Sequence, residues 1–144
     1  MLIGKKILLV EDDQFIRELF EAFLQTDGYT IITAENGNEA VEKFKLEIFD
    51  LVLLDILLPE KDGISVLGDI KKINPVVPVA MLTNLSQESL IKKSFELGAI
   101  SYLLKARITK EDLLKEVATM LSNSVHRVNP NIQVVMMPAI ASVI

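Results

Sequence analysis

The sequence predicts an α/β domain built on a doubly wound sheet of five parallel strands, with helices on both faces. Three observations predict it. Short apolar runs alternate with stretches of helical periodicity from one end of the chain to residue 122 or so. The apolar runs are continuous, as in Leu51-Val52-Leu53-Leu54, which suits strands covered on both faces. Half of the residues are hydrophobic, a high share that such a sheet requires. Right-handed crossovers between parallel strands then place helices above and below.

Ile7 to Val10 reads as the first strand. Phe15, Ile16, Leu19, Phe20, Phe23 and Leu24 follow at helical spacing, with Arg17, Glu18 and Glu21 on the other face. Asp13 is placed to cap that helix, and Asp27-Gly28 ends it. Tyr29 to Ala34 is the second strand, rich in β-branched residues. Asn36-Gly37-Asn38 is a turn, with Asn38 as the expected cap of a helix around Ala40, Val41 and Phe44. Asp50 opens the third strand. A loop from Ile56 to Lys61 leads through Asp62-Gly63 to a helix carrying Ile64, Val66, Leu67 and Ile70, which Asn74-Pro75 breaks. Val76 to Leu82 is the fourth strand, with Pro78 near its start and Thr83 closing it. Ser86 and Glu88-Ser89 precede a helix carrying Leu90, Ile91, Phe95 and Leu97, which Gly98 ends. Ala99 to Leu104 is the fifth strand. Thr109 and Asp112 form a capping box for a last helix through Leu113, Leu114, Val117, Met120 and Leu121. Residues 1–122 thus make one domain, and 123–144 form an apolar extension outside any βα unit.

Bulk properties exclude several classes. A net charge of −5 argues against a polyanion-binding surface, and nothing resembles a helix-turn-helix, so no nucleic-acid partner is expected. The chain has no cysteine, hence no disulfide or thiol chemistry. No signal-peptide pattern follows Lys5-Lys6, and no apolar run approaches the roughly 20 residues of a membrane span. A cytoplasmic location is the corresponding expectation.

The chemistry-bearing residues sit just past the strands. Glu11 and Asp12 follow the first strand, Asp55 the third, Thr83 ends the fourth and Lys105 follows the fifth. In an open parallel sheet these carboxyl ends border one crevice where ligands bind. Each residue has a plainer reading: Asp55 as a loop cap, the acidic pair as helix caps, Lys105 as a surface lysine, Thr83 as an ordinary strand end. Together they form a like-charge cluster that either raises a pKa or recruits a cation. Mg²⁺ suits it, since it takes one or two carboxylates and completes its octahedron with waters and phosphate oxygens. No His or Cys cluster favours zinc, and the sole histidine, His126, reads as a surface residue.

These residues carry a resemblance. Ile7-Leu-Leu-Val-Glu-Asp-Asp13, Asp50-Leu-Val-Leu-Leu-Asp55, Leu58-Pro59 with Asp62-Gly63, Met81-Leu-Thr83, Gly98-Ala99 and Tyr102-Leu-Leu-Lys105 resemble the receiver domain of two-component response regulators. The resemblance covers residues 5 to about 122. It implies a flavodoxin-like strand order, 2-1-3-4-5. It makes Asp55 the phosphoacceptor and Asp12 a direct Mg²⁺ ligand, with Glu11 acting mainly through water and the backbone carbonyl of Leu57 completing the metal set. It gives Thr83 and Lys105 the phosphoryl oxygens, and Tyr102 the role of an aromatic switch that moves inward when Thr83 does. Two positions depart from the family pattern. Ala106 stands where a proline in a cis peptide usually follows the lysine, so the bond is either a costly non-proline cis peptide or trans with a different approach of Lys105. Asn84 follows the threonine where a small residue is common, and with Leu57 it bears on water access to an acyl phosphate.

The resemblance implies partners: a sensor histidine kinase or phosphotransfer protein that donates the phosphoryl group, and a downstream protein target. The chain would assist its own phosphorylation and dephosphorylation without being an enzyme for an external substrate. Alternatives remain open at this point: a receiver fragment of a longer transcription factor or signalling enzyme, a degenerate receiver acting only as an interaction module, and a flavodoxin-like FMN binder, which the acids after the first strand oppose. For residues 123–144, with Ile132, Val134, Val135, Met136, Met137 and Ile140, the readings are packing on this domain or a second copy as a homodimer, a remnant of a longer chain, and a docking segment for another partner.

Overall fold

A computed structural model describes residues 4–122. The elements are β1 (Lys6–Val10), α1 (Gln14–Gln25), β2 (Thr30–Ala34), α2 (Gly37–Leu46), β3 (Leu51–Leu54), α3 (Gly63–Ile73), β4 (Val79–Thr83), α4 (Glu88–Glu96), β5 (Ser101–Leu104) and α5 (Lys110–Ser122). The strands form one sheet in the order β2-β1-β3-β4-β5, and every pairing is parallel. Both the five-stranded doubly wound architecture and the strand order expected from the sequence are observed.

Alternation along each strand explains why its run is apolar throughout. Leu8, Val10, Val52, Leu54, Val79, Met81 and Tyr102 point to one face, where Ala40, Phe44, Val66, Leu67, Ile70 and Ile91 of α2, α3 and α4 cover them. Ile7, Leu9, Leu51, Leu53, Ala80, Leu82 and Leu103 point to the other, under Phe20, Leu24, Leu113, Val117 and Met120 of α1 and α5. Each large aliphatic side chain buried this way contributes roughly 1.5–3 kcal/mol, so the central strands are anchored from two sides and their ends are held firmly.

Several boundaries differ from the sequence reading, each for a local reason. The cap of α2 is Asn36, whose side chain accepts from Glu39 N at 2.8 Å; Asn38 lies inside the helix and donates to Glu60 Oε1. β4 begins at Val79, not Val76: the Asn74 side chain accepts from Val76 N and turns the chain, leaving Val76 61% exposed. Pro78 has no N–H for the ladder, though its carbonyl accepts from Val52 N. β5 begins at Ser101, because Gly98 takes φ +108° and Ala99 N still bonds back to Ser94 O. β2 begins at Thr30, one residue after Tyr29. α4 starts at Glu88 with no side-chain cap. The caps read at Asp13 and at Thr109 with Asp112 are both present.

Two side chains of α1 defy its helical pattern. Phe15, counted with the apolar face, is 72% exposed. Arg17, counted with the polar face, is nearly covered, at 12% side-chain exposure. At the edge where strands begin, Leu46 and Ile73 stand exposed at the ends of α2 and α3, and Ile48 and Val76 on the connections into β3 and β4. His126 and the apolar extension, 123–144, lie outside the described residues.

Candidate functional site

The register builds the site. Val10 pairs with Leu54, so Glu11 and Asp55 leave neighbouring strands at the same level. Both are buried, at 2% and 3% exposure. Lys105 leaves β5 beyond β4, and its stem reaches across: Nζ lies 2.7 Å from Glu11 Oε1 and 2.7 Å from Asp55 Oδ2. Its side chain is 13% exposed. Residues 11, 55 and 105, dispersed along the chain, thus meet in one ion-paired cluster.

Backbone donors hold the other carboxylate oxygens. Asp55 Oδ1 accepts from Ile56 N at 2.7 Å, and Glu11 Oε2 accepts from Asp13 N at 3.1 Å. Asp12 is exposed, and its carboxylate takes no hydrogen bond among the described residues. Carboxylate oxygens of Glu11, Asp12 and Asp55 lie within 4.8 Å of one another. Three carboxylates against one ammonium leave uncompensated negative charge, and all the donors are hard oxygens, so the set fits Mg²⁺. Leu57, two residues past Asp55, stands on the rim at 66% exposure.

The charge state of the cluster follows from its burial. Burial pushes Glu11 above the usual carboxylate range, against the lowering influence of its hydrogen bonds to Lys105 and Asp13. For Lys105, burial works to lower the pKa, but the hydrogen bonds to Asp55 and Glu11 and their charges outweigh it, and the pKa is raised. The amine is therefore firmly charged wherever the carboxylates are.

Thr83 is buried at 1% exposure, and its Oγ1 accepts a long 3.4 Å bond from Leu85 N. No hydrogen bond joins it to the carboxylates. Tyr102 is fully inside, its hydroxyl donating to Leu85 O at 2.6 Å. Burial, with the charge of Asp55, pushes its pKa up to about 12. Burial also raises Tyr29, with Asp27 adding to it. In an alkaline absorbance titration neither tyrosine should ionise at the ordinary value near 10, and Tyr102 should ionise near 12. Because its folded pKa is raised, Tyr102 contributes stability that is present below pH 10 and lost as pH rises toward 12. Tyr102→Phe should remove the higher step.

No peptide bond among the described residues is cis. Of the two arrangements left open for Lys105-Ala106, the trans one is found, and Lys105 reaches both carboxylates from it. Ala106 N donates to Asn84 Oδ1 at 2.8 Å.

Two residues support the site in ways that the sequence did not announce. Arg17 Nη1 donates to Glu11 O at 3.0 Å and to Asp12 O at 3.3 Å, gripping the loop that carries the acids. The signal was available: helical side chains lean toward the helix N-terminus, so a long one in the second turn reaches the preceding strand end. The other is Gly63. A Cβ there would collide with the carbonyl oxygen of Asp55 and with Ile56 Cα, because α3 begins against that backbone, with Gly63 N donating to Ile56 O at 2.8 Å. Gly63→Ala should cost about 1–3 kcal/mol through overpacking and shift the resonances of Asp55 and Ile56, read by urea unfolding and NMR.

The family model for the response regulator receiver domain matches residues 7–118. The chain belongs to the response regulator receiver family. Among its relatives, the chemotaxis protein CheY of Halobacterium salinarum is 38% identical over 103 residues, covering 72% of this chain and 86% of CheY. The transcriptional regulatory protein PhoP of Bacillus subtilis is 39% identical over 103 residues, covering 72% of this chain but 43% of PhoP. For ZraR of Escherichia coli the match is 37% over 99 residues, 69% of this chain and 22% of ZraR. The receiver domain therefore spans only a fraction of such longer relatives. A receiver domain protein from Methanospirillum hungatei superposes with a TM-score of 0.82 at 29% identity, over 85% of this chain and 98% of that one. CheY in a CheX-CheY-BeF3-Mg complex from Borrelia burgdorferi superposes with a TM-score of 0.77 at 31% identity, over 82% and 90%. As a receiver, the chain is a two-component signalling module, and such receivers work with histidine kinases or phosphotransfer proteins. No helix among its described residues is long and apolar enough to cross a membrane.

Proposed function

We propose that this receiver accepts a phosphoryl group on Asp55 from a phosphohistidine donor, a sensor kinase or phosphotransfer protein, with Mg²⁺ bound. The observation that carries the reading is Lys105 Nζ at 2.7 Å from both Asp55 Oδ2 and Glu11 Oε1, beside an open Asp12. Asp12, Asp55 and the Leu57 carbonyl would hold the cation, with Glu11 acting from behind, directly or through water. When bound, Mg²⁺ supplies neutralisation of charge on the phosphoryl oxygens. Asp55 then forms the O–P bond as the donor's N–P bond breaks, and the donor imidazole leaves neutral after taking up a proton. Lys105 is the cation near enough to meet a phosphoryl oxygen on Asp55, and Thr83 supplies a hydroxyl to another. Water later hydrolyses the acyl phosphate, so the chain assists its own modification and turns over no external substrate.

The readout is a shift in population. Thr83 drawn toward the phosphoryl group, with Tyr102 inside, favours one form of the face around α4 and β5 that a downstream protein reads. Signalling is proposed to run in the cytoplasm and through protein contact, without nucleic acid. Titration with beryllofluoride and Mg²⁺, followed by tyrosine fluorescence or NMR shifts, tests the reading. Saturable shifts at Asp55, Thr83 and Tyr102 are expected; none at up to millimolar beryllofluoride would overturn it.

A second reading has its own support. The chain spans 43% of PhoP and 22% of ZraR, so it also fits the receiver part of a longer regulator, and the length of the gene separates the two. Residues 1–122 are proposed as the receiver unit and 123–144 as a segment that pairs two copies. The full chain should then sediment as a dimer and a chain cut after Ser122 as a monomer; the same number of copies in both removes the dimer.

A further inference from the structure

The three residues that end β4 and start its loop are each tied to β5 or the loop that follows it. Thr83 O accepts from Lys105 N at 2.9 Å. Asn84 Oδ1 accepts from Ala106 N at 2.8 Å. Leu85 O accepts from the Tyr102 hydroxyl at 2.6 Å. The first continues the parallel ladder in which Thr83 stands opposite Leu104. The second does not belong to the ladder: a side chain has taken the acceptor place beside it. Asn84 and Ala106 are both exposed, so water would satisfy either group. What the bond adds is geometry. It fixes residue 106 against residue 84, and leaves Lys105 between two anchored amides, its own and the next.

The bond needs a backbone N–H at 106 and an acceptor side chain at 84. A proline at 106 has no N–H to give, and a small apolar residue at 84 has no oxygen to receive it. The two departures from the family pattern are thus the two halves of one contact. We infer that Asn84 is a positioning residue that pins the Lys105 loop to the Thr83 loop. The pin holds the amine over the carboxylates without the stiffness of a proline ring, and a displacement of Thr83 carries the Lys105 loop with it. The coupling to phosphorylation rests on the function proposed above, whereas the pin itself does not.

Two measurements test it. In the free protein, Asn84→Ala should make the Ala106 amide exchange roughly three- to tenfold faster, the range of one modest hydrogen bond. Asn84→Asp, which keeps an acceptor oxygen, should retain the protection. Unchanged exchange in Asn84→Ala overturns the pin. Affinity for beryllofluoride with Mg²⁺ is then compared in wild type, Asn84→Ala, Ala106→Pro and the double variant. Asn84→Ala should weaken binding several-fold when residue 106 is alanine and have no effect when it is proline. Equal losses in both backgrounds refute the inference, because Asn84 would then act on the site by another route. Should wild type bind no beryllofluoride, the phosphoacceptor reading falls, and exchange at Ala106 decides the pin alone.

Discussion

Asp55→Asn is expected to abolish labelling of the chain by acetyl phosphate with Mg²⁺, read by intact mass or phosphate-affinity gel. The amide is nearly isosteric with the carboxylate but offers no anionic oxygen to form the bond to phosphorus. The loss should be complete rather than partial, because the remaining carboxylates are differently held. Glu11 Oε1 is paired with Lys105 and Oε2 with Asp13 N, and Asp12 is exposed outside the ion pair. The variant should stay folded, since Glu11 still faces Lys105 and the repulsion between two buried carboxylates is removed. Undiminished labelling of a folded Asp55→Asn chain would sink the proposed role.

Lys105→Met carries the second large effect, on stability as well as on transfer. The substitution keeps the bulk of the stem and deletes the charge that both buried carboxylates share. Breaking a buried pair by removing one partner leaves uncompensated charge and costs about 3 kcal/mol or more. For a domain of this size that is a fall in Tm on the order of 10 °C, measured without divalent cation. Adding Mg²⁺ should recover more stability in the variant than in wild type, because an added cation takes over compensation that Lys105 otherwise supplies. The pH dependence follows from the directions of the shifts. Glu11 is an acid with a raised folded pKa, so the folded state binds the extra proton, and stability falls as pH rises from the ordinary value of 4.5 through the folded one. Without the lowering influence of Lys105 that fall should be steeper in the variant. Lys105 itself, raised above 10.5, contributes stability to wild type that is present below that value and lost as pH climbs through the folded pKa. A variant as stable as wild type at pH 7 without Mg²⁺ would show that the pair contributes little.

Much of this site was legible in the sequence because parallel sheets make strand ends meet. Four apolar runs, closed or followed by an acidic pair, an acid, a hydroxyl and an amine, specified which side chains would share a rim before their distances were known. Register was not legible: nothing local says that Val10 stands opposite Leu54, and that pairing sets Glu11 level with Asp55. Glu11 for this reason carries a direct ion pair to Lys105, a contact that its sequence neighbours do not announce. Boundaries failed where a side chain competes with the backbone. Asn36 outcompetes Asn38 for the cap of α2, and Asn74 turns the chain before β4. Arg17 failed for another reason, since a helical wheel shows which face a residue occupies but not how far its side chain leans along the axis. The Asn84–Ala106 contact joins two loops by a side chain, and only coordinates reveal it.

The exposed Leu46, Ile48, Ile73 and Val76 lie at the end of the sheet where the strands begin, with the ion-paired Lys6 and Glu47, and the carboxylate cluster lies at the other. Contacts that crowded molecules make through these four side chains leave the carboxylates open to solution. Apolar attraction of that kind is not screened by ions and is strengthened by sulfate. Self-association of the described domain through these side chains should therefore grow as ammonium sulfate is raised.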